Sequence, residues 1–213
     1  MIKRGSDIAV AACLLVVTLP VMVVATVAAA ISLRAWPFFA QTRIGRDGTP
    51  FYFFKLRTLP KETPRYATKY DVAGLAQPRL GRWLRMLHLD EFPQLLLVLT
   101  GKMSIVGPRP EMPHLCEQFD PAFARRRATV RPGCTGLWQI SDRCDRMIHE
   151  APEFDEFYVR HRSLRLDLWV MLRTLSLVLP VSRARLTSYD ELPAWAGETA
   201  APVAASVLQG ADL

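Results

Sequence analysis

The longest apolar stretch of the chain covers residues 8–33, which are 26 consecutive residues without a charged side chain. A helix needs about 20 apolar residues to cross a bilayer, so this stretch predicts contact with a membrane. Pro20 divides it into two halves, and at 1.5 Å per residue each half is shorter than the roughly 30 Å hydrocarbon core. Basic residues flank both ends, with Lys3 and Arg4 before the stretch and Arg34 after it.

These flanks favour one of three interpretations of the stretch. The positive-inside tendency keeps both flanks on the cytoplasmic side, which predicts a re-entrant hairpin: a helix, a break at Pro20, and a second helix that returns. A kinked single-span anchor and a cleaved secretory signal peptide are the alternatives. The signal peptide is disfavoured because the apolar run exceeds the roughly 7 to 15 residues of a signal-peptide core.

Aromatic side chains between residues 37 and 54 flank a turn-like stretch from Gly45 to Gly48, which predicts two short strands in a hairpin. Just after this hairpin, Lys55 and Arg57 alternate with apolar neighbours. They therefore share one face of a presumed strand. Residues 58–78 have no apolar period and are expected to form a mobile loop near the site.

A helical period appears between residues 81 and 100, where Phe92, Leu95, Leu96 and Leu99 follow at i, i+3, i+4 and i+7. The predicted helix has Asp90 as its N-cap and ends at Gly101.

Three further segments are helix candidates, at residues 113–127, 152–162 and 164–179. The last is apolar on most faces but carries three charges, which predicts an interfacial or a core helix rather than a crossing one.

Composition and charge narrow the function. Half of the 213 residues are apolar, enough for one sizeable core, and the net charge of +7 indicates an anionic partner. Nucleic acid is disfavoured because the aromatic residues lie in apolar runs and do not interleave with basic ones. The four cysteines form no CxxC pair and are interpreted as free thiols in a reducing compartment, with a Cys134–Cys144 disulfide as the alternative.

Two adjacent carboxylates, Asp90 and Glu91, lie at the start of the predicted helix. Taken alone, they could be no more than a helix cap and a solvated acid. However, five basic residues surround them in the sequence, namely Arg79, Arg82, Arg85, Lys102 and Arg109. This excess of cations predicts an anion site in which one carboxylate acts as a nucleophile and the other holds a divalent cation, for which Mg²⁺ is suited.

Arg109 lies between Pro108 and Pro110, and both proline rings restrict its backbone. A guanidinium projecting from such a fixed point could grip a phosphate bidentately, although a rigid turn with a solvated arginine is the alternative. The three consecutive arginines at positions 125–127 are interpreted as a solvated helix face, with a lipid-headgroup contact as the alternative.

Taken together, the chain resembles the small monotopic polyprenyl-phosphate phosphoglycosyl transferases, also called bacterial sugar transferases. The resemblance covers about residues 3–180 and rests on the segments KRGSDI, FFAQTRIG, FKLRT, LGRWLR, LDEFPQL, GKMSIVGPRP, RPGCTGLWQI and FDEFYVRHRSLRLDLWVMLRT. The chain departs from the usual family pattern at Lys102, where an aspartate is common, at residues 141–144, and at Leu19, which replaces a serine before the hairpin proline.

The resemblance implies transfer of a sugar 1-phosphate from a nucleotide diphosphate sugar, usually a uridine one, to polyprenyl phosphate through a covalent intermediate. This would be the first membrane step in bacterial glycoconjugate or exopolysaccharide synthesis. By carry-over, Asp90 is the nucleophile and Glu91 helps to bind Mg²⁺. The resemblance further implies that phosphates are held by Lys55, Arg57, Arg85 and Arg109. It also implies that the nucleotide or sugar phosphate lies near Gln139 and Arg143.

We therefore expect a helix-rich α/β, membrane-associated domain on the cytoplasmic face of the bacterial inner membrane, with interfacial amphipathic helices. Its expected organisation is a membrane hairpin at residues 1–36, a catalytic domain at 37–186 and a poorly ordered tail at 187–213. Two rival functions remain open: a lipid-phosphate phosphatase that uses the same aspartate, and a membrane-anchored adaptor without catalysis.

Overall fold

The computed structural model of the protein describes residues 2–68, 70–72, 75, 78–179 and 184–196. Its α-helices are α1 (Ile2–Leu33), α2 (Arg79–Met86), α3 (Leu95–Leu99), α4 (Pro113–Cys116), α5 (Pro121–Ala128), α6 (Leu137–Ile140), α7 (Glu153–His161) and α8 (Leu164–Val178). The strands are β1 (Phe38–Ile44), β2 (Pro50–Leu56), β3 (Ser104–Val106) and β4 (Gly133–Thr135). The helix-rich α/β class is thus confirmed.

Helix α1 is long and apolar enough, by length and composition, to cross a membrane. It continues through Pro20 without an interruption, so the predicted break between two separate helices is not present. A proline inside a helix removes one backbone hydrogen bond and bends the helix, but the remaining bonds can preserve its continuity.

The first turns of α1 are fixed to the rest of the chain by a buried polar cluster. Asp7 is only 4% exposed, and it accepts hydrogen bonds from Ser104 Oγ at 2.8 Å and from the Ile105 amide at 3.2 Å. The Lys3 Nζ atom lies 3.1 Å from Asp7 Oδ1 and 2.7 Å from Asp167 Oδ2 in α8. A charged cluster therefore joins α1 to β3 and α8.

The predicted hairpin is confirmed. Strands β1 and β2 pair antiparallel, with Phe39 opposite Lys55 and Arg43 opposite Phe51. A 3₁₀ turn at Arg46–Gly48 connects them, and both Asp47 (φ 56°) and Gly48 (φ 71°) adopt the left-handed conformation that this tight reversal needs.

The helical region predicted at residues 81–100 is present, but it divides at His88. Helix α2 ends at Met86, His88 adopts a left-handed conformation (φ 53°), and a 3₁₀ segment, Leu89–Gln94, leads into α3. Asp90 therefore lies inside the first 3₁₀ turn, and the prediction that it is an N-cap was wrong. The predicted end at Gly101 is confirmed: its amide bonds to Val98 and that of Lys102 to Leu97, a glycine-terminated helix end.

The short parallel pair of β3 and β4 was not predicted, because each strand has only three residues. It brings Gly107 and Gly133 into backbone contact, and a Cβ atom on Gly133 would lie 2.2 Å from the Gly107 amide nitrogen. The pair places the Pro108–Pro110 segment against the chain that enters α6.

The remaining helices largely follow the predictions. The segment 113–127 forms two helices rather than one, because Asp120 caps a new helix that starts at Pro121. Helices α7 and α8 lie at the expected positions. They pack on the main core through fully buried side chains that include Phe154, Leu166 and Val170.

Two further features concern the thiols and the C-terminal region. None of the four cysteines, all of which lie in the described part of the chain, forms a disulfide, so the alternative Cys134–Cys144 disulfide is not formed. Residues 184–196 pack against the body, with Thr187 1% exposed and its amide bonded to the Ile140 carbonyl at 2.9 Å. The rest of the predicted tail, residues 197–213, lies outside the described residues.

Candidate functional site

A cavity of about 850 Å³ lies between the hairpin, the Leu89–Gln94 turn, α1, α6 and α8. Polar side chains line one part of it, including Lys55, Arg57, Arg85, Glu91, Arg109 and Gln139. Apolar side chains line another part, including Val10 and Leu14 of α1 and Met171, Leu175 and Val178 of α8. The cavity therefore offers both a cationic region and an apolar one.

Asp90 lies beside this cationic region, but its side chain is only 5% exposed. Its Oδ2 atom is 4.0 Å from Lys55 Nζ. Burial raises the pKa of Asp90 above its usual value, although the charges of Lys55 and Arg85 counteract the rise. Desolvation thus outweighs the nearby cations in setting the direction of the Asp90 pKa shift.

The pKa of Glu91 shifts in the opposite direction. Burial pushes the pKa of its carboxyl upward, but the positive charges of Arg109, Lys55 and His88 outweigh burial and hold that pKa below its usual value. Arg109 Nη2 lies 3.6 Å from Glu91 Oε1. The two neighbouring carboxylates therefore differ in pKa, with Glu91 the more firmly ionised.

Burial also shifts the pKa of Lys55. Desolvation lowers the pKa of its ammonium group, while Asp90 and Glu91 raise it. The pKa of Lys55 is lowered overall, and the two carboxylates favour its charged form.

Arg57 and Arg85 line the cavity while also bonding to protein groups. The Arg57 guanidinium donates to the Trp36 carbonyl at 3.1 Å, and Arg85 Nε donates to Thr58 Oγ1 at 2.9 Å. Each arginine therefore has a defined orientation, with other N–H groups left for a ligand. The predicted common direction of Lys55 and Arg57 agrees with their shared presence in the cavity wall.

Gln139 lines the cavity, whereas Arg143 does not appear among the described residues of its wall. The Gln139 Nε2 atom donates to the Cys134 carbonyl at 2.8 Å, while its buried Oε1 has no hydrogen-bond partner within the described part of the chain. Arg143 Nε lies 3.7 Å from Asp142 Oδ1, and Arg146 lines the cavity nearby. The substrate contact of Arg143 stays a prediction.

Sequence reasoning missed Arg43, which also lines the cavity. Its Nη1 atom lies 2.6 Å from Glu111 Oε1, and desolvation lowers the pKa of the guanidinium to about 10. Alternation along β1 could have revealed it, because Phe39, Gln41 and Arg43 share one face and Phe39 lies opposite Lys55.

Two carboxylates available to a divalent cation at this site are Asp90 and Glu91, which are adjacent in the chain. No group of three His, Cys, Asp or Glu side chains suited to a metal occurs within the described ranges. Glu91, whose pKa is held below its usual value, lines the cavity and has Asp90 as its neighbour, which agrees with the preference of Mg²⁺ for one or two carboxylates plus phosphate oxygens and water.

The chain is similar to known proteins over most of its length. A family model described as bacterial sugar transferase matches residues 1–180. The chain is 32% identical over 192 residues to a UDP-N-acetylgalactosamine-undecaprenyl-phosphate N-acetylgalactosaminephosphotransferase of Aeromonas hydrophila, covering 86% of this chain and 45% of that protein. It is 34% identical over 192 residues to the exopolysaccharide production protein ExoY of Sinorhizobium fredii, covering 83% and 84%.

A third relative is a UDP-glucose:undecaprenyl-phosphate glucose-1-phosphate transferase of Escherichia coli, 34% identical over 184 residues, with 82% of this chain and 39% of that protein covered. The chain therefore spans less than half of the Aeromonas and Escherichia proteins and most of ExoY. On the family match over residues 1–180, this chain belongs to the bacterial sugar transferase family.

Proposed function

We propose that this protein transfers a sugar 1-phosphate from a uridine diphosphate sugar to polyprenyl phosphate through a covalent intermediate on Asp90. One observation carries the proposal: Glu91 lines the cavity together with Lys55, Arg85 and Arg109, and the adjacent Asp90 lies 4.0 Å from Lys55. The curated relatives support the substrate classes, because two of them are named as transferases from UDP-sugars to undecaprenyl phosphate.

In the first step, an Asp90 carboxylate oxygen bonds to the phosphorus that carries the sugar. The bond from that phosphorus to the bridging oxygen breaks, and uridine monophosphate leaves. In the second step, a phosphate oxygen of polyprenyl phosphate attacks the same phosphorus, which releases the Asp90 carboxylate and forms the lipid diphosphate sugar. Both steps need charge neutralisation and in-line placement more than proton transfer.

The residues of the site have separate tasks in this scheme. Lys55, Arg57, Arg85 and Arg109 would neutralise the phosphate oxygens, and Glu91 would hold Mg²⁺, which supplies further charge neutralisation when bound. The Asp90 side chain is 5% exposed, and its Oδ2 atom lies 4.0 Å from Lys55 Nζ, so the proposed nucleophile is close to one of the cations that would neutralise the phosphate. Gln139 has a buried acceptor oxygen for a donor of the nucleotide or sugar.

A membrane location explains the mixed cavity, since one substrate is soluble and the other has a long apolar tail. Leu164, Leu168, Leu172, Leu175 and Leu179 are exposed at helical spacing along and just beyond α8. Such a stripe suits an interfacial helix. The polyprenyl chain would leave the cavity between the apolar side chains of α1 and α8.

The re-entrant position of α1 is part of the same proposal. Arg4 binds the Val98 and Leu99 carbonyls, and Ala11 is buried in the main core, whereas Ala25 and Ala29 pack on Leu56 and Leu84. Ala11 and Ala29 are about 27 Å apart at 1.5 Å per residue. Contact of both halves of the continuous helix α1 with one body supports an arrangement in which both ends lie on the cytoplasmic face of the bacterial inner membrane.

The test is to incubate the purified protein in detergent with uridine diphosphate sugar labelled in the sugar, without an acceptor. We expect sugar phosphate to remain bound at position 90 and uridine monophosphate to be released. Asp90→Asn should abolish both. The control is Asp47→Asn, an exposed turn aspartate with a left-handed backbone that asparagine tolerates, and it should label normally.

Three results would contradict the proposal. Wild-type protein that turns over with acceptor but never carries label would exclude the covalent route. Release of inorganic phosphate without a lipid-linked product would favour the phosphatase. Unchanged cellular glycan output from Asp90→Ala would favour the non-catalytic adaptor.

A further inference from the structure

The segment from Pro108 to Pro110 is held through its three consecutive carbonyl groups. The Gly133 amide donates to the Pro108 carbonyl at 2.9 Å, Arg127 Nη2 donates to the Arg109 carbonyl, and Arg43 Nη1 donates to the Pro110 carbonyl at 3.0 Å. Because the two prolines have no N–H group, carbonyls supply most of the backbone hydrogen-bonding capacity of this segment. Three separate parts of the fold thus fix the backbone that carries Arg109.

The donor to the Arg109 carbonyl is an unusual one, because Arg127 is a buried arginine. Its side chain is 8% exposed, its Nε atom lies 2.7 Å from Asp155 Oδ2, and its guanidinium carbon lies 5.3 Å from the centre of the Phe119 ring. The sequence interpretation of residues 125–127 as a solvated face is therefore wrong for Arg127, which points inward from α5 toward α7.

Asp155 is even more deeply buried, at 1% side-chain exposure, and its Oδ1 atom has no hydrogen-bond partner within the described residues. A buried ion pair gains little stability over apolar residues of similar volume, because desolvation offsets the attraction. Stability alone thus gives no reason for a charged pair here. What an apolar pair could not supply is the N–H donor to the Arg109 carbonyl.

We propose that Arg127, oriented by Asp155, is a positioning residue that fixes the point from which Arg109 reaches the phosphate site. Arg127 does not line the cavity among the described wall residues, whereas the Arg109 guanidinium does, 3.6 Å from Glu91. The Arg127–Asp155 pair therefore acts on Arg109 through the backbone carbonyl of Arg109 and not through the cavity wall. The inference rests on the proposed phosphoglycosyl transfer, because it assigns a task to Arg109 in binding phosphate.

The physical basis is the sensitivity of phosphoryl transfer to placement, since a displacement of about 1 Å can lower a rate roughly hundredfold. A lysine at position 127 keeps the positive charge beside Asp155 but lacks the planar fork that lets one guanidinium bind both the carboxylate and the carbonyl. The substitution therefore removes the hydrogen bond to the Arg109 carbonyl while it keeps a positive charge beside Asp155.

The experiment measures kcat and KM for sugar-phosphate transfer in detergent by Arg127→Lys, Arg109→Lys and the double variant. We expect Arg127→Lys to lower kcat/KM by about tenfold to hundredfold in the otherwise native protein. In the Arg109→Lys background we expect it to have less than about a threefold effect, because the group that it positions is already altered. Asp155→Asn, which keeps the volume, should behave in the same way as Arg127→Lys.

The matched control is Arg126→Lys, because Arg126 is the neighbouring residue of the same helix and pairs with Glu156 on an exposed surface. It should leave both kinetic constants within about twofold of the native values, as expected for an exposed pair. Circular dichroism and the thermal midpoint of each variant identify those that do not fold, and Asp155→Asn then replaces Arg127→Lys in the cycle.

Equal losses from Arg127→Lys in the native and Arg109→Lys backgrounds would overturn the inference, since that is the behaviour of a residue that only stabilises the fold. Unchanged kinetics of folded Arg127→Lys would overturn it as well. Failure of the proposed function is a separate result, because then the native protein forms no lipid-linked sugar at all.

Discussion

The Nζ atom of Lys55 lies 4.0 Å from Oδ2 of Asp90, and both side chains are largely withdrawn from solvent. Burial raises the pKa of the carboxyl and lowers the pKa of the ammonium group, while each charge stabilises the other. The ionisation of the proposed nucleophile therefore depends on Lys55.

This dependence predicts a pH effect. The attack needs ionised Asp90, and because its pKa is raised, the rate of labelling at position 90 should fall with decreasing pH already above the usual aspartate range. Lys55→Met removes the charge that lowers the pKa of Asp90, so the acid limb of the rate profile should move to higher pH. Single-turnover labelling across pH measures this, with Lys55→Arg as the charge-retaining control. An acid limb in the same place for all three proteins would contradict the coupling.

Glu91 should govern the requirement for Mg²⁺. Glu91→Gln removes the carboxylate that we propose as its ligand and also the partner of Arg109. We expect the Mg²⁺ concentration for half-maximal activity to rise at least about tenfold, the size of effect that even outer-shell substitutions produce. A titration of transfer activity against Mg²⁺ tests this. Loss of activity that Mg²⁺ fails to restore in part would point instead to a role of Glu91 in orienting Arg109.

Gly81 of α2 lies against the backbone that follows β2, and we expect no side chain to fit there. A Cβ atom there would lie 2.2 Å from the Thr58 carbonyl oxygen, and neighbouring backbone cannot yield as a flexible side chain does. Gly81→Ala should therefore lower the free energy of unfolding by at least about 1–3 kcal/mol, the usual cost of overpacking. The thermal midpoint in detergent reports the change.

Gly5 provides the matched comparison, since nothing lies within 4 Å of a Cβ atom built on it and it is part of α1. Gly5→Ala should leave the free energy of unfolding unchanged or raise it by up to about 1 kcal/mol, the helix stability that glycine costs relative to alanine. The thermal midpoint should accordingly stay the same or rise. A destabilised Gly5→Ala together with a native-like Gly81→Ala would show that the backbone contact is absent.

The topology of α1 can be decided with engineered cysteines. Ile2 is 76% exposed, and Arg46 is an exposed residue of the hairpin turn. Cysteines at positions 2 and 46, each introduced after the four native cysteines are replaced by alanine, should both react with a membrane-impermeant maleimide from the cytoplasmic side. A spanning helix would instead place them on opposite faces, so that one of the two reacts only from outside.

The exposed leucines of α8 should contact lipid. A nitroxide attached to Leu172→Cys should be more accessible to oxygen than to a polar nickel chelate when the protein is in vesicles, because oxygen partitions into the bilayer. Glu117→Cys, an exposed position just after α4, is the polar control and should show the reverse. Equal polar accessibility of both labels would place α8 in water.

The sequence by itself determined much of the local structure, and it indicated the residues that we propose for the site. The strand pattern and the turn residues predicted the hairpin. Asp47 and Gly48 are residue types that accept the left-handed conformation of a tight turn, and both adopt it here. Helical period placed α7 and α8, and the pairing of Asp90 and Glu91 with nearby basic residues indicated a phosphate site. These features depend on neighbours along the chain, which a sequence displays directly.

Tertiary structure alone decided the rest. It kept α1 continuous through Pro20, placed Asp90 inside a 3₁₀ turn after a left-handed His88, and formed the three-residue parallel pair that no local pattern indicates. It also turned Arg127 inward to Asp155 and Arg43 into the cavity. Burial and long-range pairing set these positions and the opposite pKa shifts of the two carboxyls, because desolvation depends on what packs around a group and not on its place in the sequence.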